Sequence, residues 1–196
     1  KYKQNSVKKI NICLCIMTFN MIFVYNTISI SVIIMMGYLL YSQDYTILFG
    51  EFLCTIIQYF SKKITTGWYP PIFKRPDGAT DCNLFNTGGK AGHCSGFPSG
   101  HVASITLLME MLLLRNNTTG LYNKITYYVP IVLMGYSRYM KKCHNTIQIF
   151  AGYVLGYSVA NILHEYDDDI KRYVKSKLSY FFNIEDNDDI DDNKEI

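Results

Sequence analysis

The stretch CSGFPSGHVASITLLMEMLLL (residues 94–114) joins a polar, glycine-rich loop directly to a long apolar run. An apolar run of this length predicts a helix in a membrane or in a hydrophobic core. Ser99, Gly100 and His101 stand where that helix begins. Polar groups at a buried helix end cost free energy unless they are bound, so the stretch predicts a helix whose N-terminal end receives a ligand.

Six apolar runs are spread along the chain, at about residues 10–25, 27–41, 45–60, 101–114, 125–137 and 147–163. Each is shorter than the ~20 residues that span a bilayer, but flanking Tyr, Phe and Trp extend them into the membrane interface. Hydrophobic residues make up 49% of the chain and charged residues only 18%, and the charges gather at the two ends and in two interior clusters, a distribution typical of membrane proteins. We therefore expect an all-α fold, a polytopic membrane bundle of about six transmembrane helices. Buried helices of a soluble protein are the alternative.

Length and charge limit the other function classes. The 196 residues contain no long linker, which predicts one domain over residues 1–164, with a motif-bearing core at 45–163. Residues 165–196 are polar and acidic and are predicted to form a disordered tail. A net charge of +3, without zinc-finger spacing or interleaved basic and aromatic residues, gives no support for a nucleic-acid partner.

Counting helices predicts where the loops emerge. Two membrane crossings separate loop 61–100 from loop 138–146, so both loops are expected on one membrane face, with the active site there at the helix ends. Basic residues near the N-terminus and in the tail favour a cytoplasmic location for the opposite face. The site face is then lumenal or extracellular, and the sequons at Asn116 and Asn117 are cytosolic and unmodified. Four lysines in the site loops argue the other way unless they bind a ligand.

Three of the six cysteines fall in predicted loops: Cys82, Cys94 and Cys143. Cys82 pairs with Cys94 if these loops face an oxidising compartment, and otherwise the three are free thiols. The other three lie in apolar runs, where Cys behaves as a small hydrophobic residue.

The shared face collects cations, a serine and two histidines, a combination that calls for an anion. Arginine offers a planar fork of donors that suits phosphate oxygens, and a helix N-terminus adds unpaired backbone N–H groups and a favourable dipole. Gly100 lets the backbone approach the anion closely. The residues are Lys62, Lys63, Lys74, Arg75, Ser99, Gly100, His101, Arg138 and His144.

His144 and Gln148 are four residues apart, so on a helix they lie on one face and touch. A side-chain carbonyl that accepts from one ring nitrogen fixes the tautomer of the imidazole and leaves the other nitrogen free to attack phosphorus. The two histidines at 101 and 144 then divide the work of acid and nucleophile.

Three motifs follow one another in order: KRPDG (residues 74–78), FPSGH (97–101), and SR (137–138) followed by His144 and AGYVLG (151–156). Together they resemble the signature of the type 2 phosphatidic acid phosphatase family, the lipid phosphate phosphatases related to the vanadium haloperoxidases. The resemblance covers about residues 45–163. It implies a six-helix membrane phosphatase that needs neither metal nor cofactor.

The resemblance also implies roles for individual residues. His144 matches the nucleophile that forms a phospho-enzyme, and His101 matches the acid that protonates the leaving alkoxide and later activates water. The phosphate ligands match Arg75, Ser99, Gly100 and Arg138.

Two positions depart from the family pattern. Where the family has a Lys seven residues before the first Arg, this chain has Trp68; we favour Lys63 as its replacement, with Lys62 and Lys74 as alternatives. Where the family has an Asp four residues after the nucleophile, this chain has Gln148. A neutral amide stabilises an imidazolium less than a carboxylate does, so we expect reduced activity or a moved pH optimum, and a gain on Gln148→Asp.

The function that the resemblance implies is hydrolysis of a lipid phosphomonoester such as phosphatidic acid, through a phosphohistidine and without metal. Two alternatives stay open, an isoprenoid diphosphate phosphatase and a catalytically silent membrane scaffold that binds phosphate headgroups. The expected partners are a phospholipid or prenyl phosphate substrate and the lipid bilayer. The oligomeric state is left open.

Overall fold

The computed structural model of the protein describes residues 33–34, 37–38, 41, 44–66, 72–83, 87–92, 94–117 and 120–182. Five helices follow one another in this part of the chain: α1 (Tyr45–Thr65), α2 (Gly100–Arg115), α3 (Leu121–Met140), α4 (Thr146–Glu165) and α5 (Asp167–Phe182). The described residues form no named strand, so the all-α prediction is confirmed.

Four of the six predicted runs are helices in the structure. The runs at 45–60, 101–114, 125–137 and 147–163 fall within α1, α2, α3 and α4. The run at 10–25 lies outside the described residues, and only five residues of the run at 27–41 are described, all of them helical. Six membrane helices therefore remain a prediction.

Helix α2 lies at the centre and packs against α1, α3 and, most extensively, α4. Glycines make this close approach possible. A Cβ atom on Gly152 would lie 2.5 Å from the Ser99 carbonyl oxygen, and one on Gly156 would collide with the Ala103 carbonyl oxygen. The small residues of AGYVLG therefore bring α4 against the start of α2, which carries His101.

The outer faces of the bundle are apolar. Large hydrophobic side chains are exposed along α1, α3 and α4, among them Phe52, Phe60, Val132, Phe150 and Ile162. Among the described residues, one helix, Thr146–Glu165, is long and apolar enough to cross a membrane by length and composition. Apolar surface of this extent indicates contact with lipid or with other apolar chain segments.

Part of the predicted tail is helical. Residues Asp167–Phe182, which the sequence analysis placed in a disordered tail, form α5. The reason is a contact between distant residues: Arg115 at the end of α2 donates hydrogen bonds to Asp167 at 2.7 and 2.8 Å and to Asp44 at the start of α1. The three acidic residues of the first turn also suit the positive end of the helix dipole. Residues 183–196 lie outside the described part.

Candidate active site

A cavity of about 590 Å³ opens between α1 and α2, toward the end of the bundle where the long loop before α2 meets the short loop before α4. The cavity is lined by residues from α1, from the start of α2 and from the loops: Leu48, Glu51, Phe52, Thr55, Gln58, Lys62, Arg75, Cys82, Asn83, Gly100, His101, Ser104 and His144. The two histidines predicted to share the chemistry therefore line one cavity, together with Lys62 and Arg75.

The Nδ1 atom of His144 lies within hydrogen-bond distance of two acceptors. It lies 2.9 Å from the Gly96 carbonyl oxygen and 3.2 Å from Gln148 Oε1. Since a backbone carbonyl can only accept, Nδ1 carries the proton and Nε2 keeps its lone pair. The ring is 2% exposed and lines the cavity. This is the arrangement that a nitrogen nucleophile requires.

Gln148 is itself fixed at every polar atom. Its Oε1 also accepts from the backbone N–H of Asn145 at 3.3 Å, and its Nε2 donates to the carbonyl oxygens of Ile72 and Lys74, both at 2.9 Å. The amide thus ties the start of α4 to the loop that carries Arg75. Asn145 completes a capping box by accepting from the Gln148 backbone N–H at 2.9 Å.

His101 lies in the first turn of α2 and lines the cavity. Its Nε2 is buried, and no other described residue bonds to it. Ser99 is the N-cap residue of α2, but its side chain makes no capping bond, and its buried Oγ likewise has no partner within the described ranges. Ser99 is fully buried and does not line the cavity, whereas its neighbours Gly100 and His101 do. Gly100 lies close to Gln58 of α1, and a Cβ atom here would lie 2.5 Å from Gln58 Oε1, so the Gln58 side chain would have to move.

Two arginines are fixed by backbone carbonyls of two cysteines. Arg75 Nη1 donates to the Cys143 carbonyl oxygen at 2.9 Å, and Arg138 Nη2 donates to the Cys82 carbonyl oxygen at 2.7 Å. Arg138 is fully buried and lies behind the cavity wall, while Arg75 lines the cavity.

Cys82 and Cys143 form a disulfide with their Cα atoms 5.4 Å apart. The alternatives from sequence were a Cys82–Cys94 pair or free thiols, and both are corrected: Cys94 is a free, exposed thiol. The actual pair joins the two loops across 61 residues of sequence, a partnership that spacing alone does not reveal. It places the carbonyl groups that hold Arg75 and Arg138 side by side.

The structure places Lys62, rather than the favoured Lys63, beside the two histidines. Lys62 lines the cavity, whereas Lys63 is exposed, because neighbouring helical residues point about 100° apart. Lys74 is also exposed and lies 3.8 Å from Asp77. Of the three candidates, only Lys62 joins Arg75 and the histidines.

The comparison with known proteins agrees with this geometry. The family model described as the PAP2 superfamily matches residues 45–172, which include α1 to α4 and every residue of the site. The chain belongs to the PAP2 superfamily. No curated protein and no solved structure matches it. Membership implies phosphatase activity on phosphate esters, the chemistry that two histidines and clustered cations suit.

The electrostatics of this PAP2 site favour an anion. Burial, together with the positive charges of Arg75, Arg138 and Lys62, holds the pKa of His144 well below its ordinary value of 6.5. The ring is therefore neutral near neutral pH, which is the form that can attack phosphorus. A bound phosphate would offset the repulsion among the cations, since opposite charge stabilises each of them.

Sequence reasoning missed Gly96 in this PAP2 site. Its carbonyl oxygen fixes the tautomer of His144, and a Cβ atom on it would collide with Gln148 Oε1 and lie 2.9 Å from Arg75 Cγ. The signal was a glycine directly before FPSGH, but a glycine in a loop has many uses and only the fold reveals this one.

Proposed function

We propose that the protein is an integral membrane phosphomonoesterase that hydrolyses a lipid phosphate, such as phosphatidic acid, through a phosphohistidine on His144. One observation carries the proposal: His144, with its tautomer fixed by Gly96 and Gln148, lines the same cavity as His101, Lys62 and Arg75. The apolar outer faces of α1, α3 and α4 support a location in the bilayer, with the site at headgroup depth.

The reaction proceeds in two steps. His144 Nε2 forms a bond to phosphorus while the ester P–O bond breaks, and His101 donates a proton to the leaving alkoxide. His101 then takes a proton from a water molecule that attacks the phosphohistidine, which releases inorganic phosphate and restores His144. Arg75 and Lys62 stabilise the negative charge on the phosphoryl oxygens.

The test separates the two histidines by their leaving-group dependence. In detergent-purified protein, His144→Ala is expected to abolish phosphate release from all substrates. His101→Ala is expected to lower kcat/KM by about 10²- to 10⁴-fold for an alkyl phosphate, whose alkoxide needs a proton. The same variant affects p-nitrophenyl phosphate far less, because that leaving group departs unprotonated. His164→Ala, an exposed histidine at the end of α4, is the control and should change neither rate.

Metal independence is measured in the same assay, since turnover is expected to persist in EDTA. Equal losses on both substrates for His101→Ala would refute its role as the acid. Absence of phosphate release over a panel of lipid phosphates and prenyl diphosphates, with retained binding of orthovanadate, would favour the silent scaffold.

A further inference from the structure

The cavity continues past Lys62 and Arg75. Its farther part contains a buried polar pair that takes no part in the proposed hydrolysis. Glu51 of α1 is 6% exposed, and its carboxyl group accepts a hydrogen bond from Ser104 Oγ of α2 at 2.7 Å. Both residues line the cavity. Glu51 is the only carboxyl group among the described residues that do so.

The position of this pair follows from the antiparallel packing of α1 and α2. Gln58 approaches Gly100 near the catalytic end, and Glu51, two turns earlier on α1, bonds to Ser104. Ser104 lies three residues beyond His101 on the same face of α2, a rise of about 4.5 Å. The Glu51–Ser104 pair is therefore about one helical turn from the imidazole that protonates the leaving group.

The wall of the cavity changes character along its length. Lys62 and Arg75 provide positive charge at the catalytic end, and Glu51, about three turns of α1 before Lys62, provides an acceptor beyond Gln58 and Thr55. Phe52 beside this pair and Leu48 one turn beyond it make the lining apolar here, and Phe52 is 60% exposed on the outer face of α1. The matching ligand has a phosphate, then a hydrogen-bond donor, then an apolar chain that leaves toward the outer surface.

A donor is needed because a buried carboxyl group costs free energy unless its oxygens are paired. Ser104 provides one donor to Glu51, and a ligand group beside it can provide another.

We propose that Glu51 and Ser104 select phosphomonoesters whose leaving alcohol carries a hydrogen-bond donor, an ammonium or a hydroxyl group, within a few atoms of the ester oxygen. The inference rests on the proposed function and refines its substrate class. Phosphatidic acid with two acyl chains has only ester oxygens at this place, so it is a poorer substrate than a single-chain amino or hydroxy alcohol phosphate.

The experiment uses three single-chain substrates of equal length: hexadecyl phosphate, 2-hydroxyhexadecyl phosphate and 2-aminohexadecyl phosphate. The readout is the ratio of kcat/KM for each donor-bearing substrate to that for hexadecyl phosphate, so a general loss of activity cancels. For the wild-type protein the larger ratio is expected to be roughly tenfold, the size of one charge-assisted hydrogen bond. The hydroxyl and amino arms show which donor is preferred.

The variants are Glu51→Gln and Ser104→Ala, each expected to bring the ratio close to one. Glu110→Gln, a buried carboxyl group of α2 outside the cavity, is the matched control and should keep the wild-type ratio. A wild-type ratio near one, or a ratio that survives both substitutions, would overturn the inference.

Binding of the corresponding non-hydrolysable alkylphosphonates, measured by calorimetry, distinguishes this result from failure of the proposed function. A protein without turnover that still binds the donor-bearing phosphonates more tightly, and loses this preference in Glu51→Gln, contradicts the phosphatase and supports the selectivity. Hydrolysis of all three substrates at equal efficiency, with equal phosphonate affinities, supports the phosphatase and contradicts the selectivity.

Discussion

The position of Gln148 requires a hydrogen-bond donor at the end of the side chain, which the aspartate of the family pattern would not provide. Gln148 Nε2 donates to the carbonyl oxygens of Ile72 and Lys74, both 2.9 Å away, so this end of the side chain must be a donor. A carboxylate at the same place would set a negative oxygen against two carbonyl oxygens. The expected gain from Gln148→Asp is therefore reversed, and Asp is also one methylene too short to reach both groups.

We predict that Gln148→Glu, which keeps the side-chain length, lowers kcat/KM at neutral pH by about tenfold or more, because a lost pair of buried hydrogen bonds displaces the loop that holds Arg75. The loss should diminish toward acidic pH, since a protonated Glu regains one donor. A pH series of kcat/KM measures both effects. Asn161→Asp, an amide-to-acid change elsewhere on α4, is the control. Wild-type activity of Gln148→Glu at neutral pH would refute the role of the amide.

Only part of this site is predictable from the sequence. Motif order and residue chemistry were sufficient to bring His101, Arg75 and His144 together, because each stands at a predicted helix end or in a loop next to one. They were insufficient to choose between Lys62 and Lys63. Adjacent residues differ in facing by the helical rotation, and only the packing of α1 against α2 decides which one reaches the cavity.

At the scale of elements, α5 depends on a contact that local sequence does not contain. Its first residue, Asp167, accepts hydrogen bonds from Arg115, which lies 52 residues away, and from Lys171 within the same helix. A polar segment of this composition resembles a disordered tail until the arginine at the end of α2 is placed beside it. The apolar runs of α1 to α4 carry their own signal and were predictable for that reason.

This contact makes the stability of the protein depend on pH. Burial alone would raise the pKa of Asp167, but the hydrogen bonds from Arg115 and Lys171 hold it below its ordinary value of 3.8. The unfolded chain then binds the proton more readily, so stability from this group is present above about pH 4 and is lost as the pH falls through the folded-state pKa.

We predict that Asp167→Asn lowers the free energy of unfolding at neutral pH by about 1.5–3 kcal/mol, the usual value for hydrogen bonds to a charged group. The difference from the wild-type protein should shrink below about pH 4. Thermal unfolding of the detergent-purified protein across this pH range is the measurement. Asp169→Asn removes an exposed ion pair with Arg172 and should have little effect. If Asp167→Asn destabilised the protein as much at acidic pH as at neutral pH, the stabilising role of the ionised Asp167 would be contradicted.

At the scale of the whole molecule, the disulfide and the course of α2 give the bundle two distinct ends. Cys82 and Cys143 join the two loops at the cavity end. Helix α2 runs from Gly100 at that end to Arg115, beside Asp44 and Asp167, at the other. Disulfides form and persist in oxidising compartments, which agrees with the lumenal or extracellular site face expected from the distribution of basic residues.

The two ends of the bundle can be labelled separately with a thiol reagent. Cys94 is a free, exposed thiol in the loop at the cavity end, and Asn117 is exposed beyond the C-terminal end of α2. We predict that a membrane-impermeant maleimide labels Cys94 in intact cells, and that Cys94→Ser removes this label. In the Cys94→Ser protein, Asn117→Cys should react only after the membrane is permeabilised. The reverse pattern, or a glycan on the sequons at 116 and 117, would place the cavity on the cytosolic face and leave the disulfide in a reducing compartment, where it would not persist.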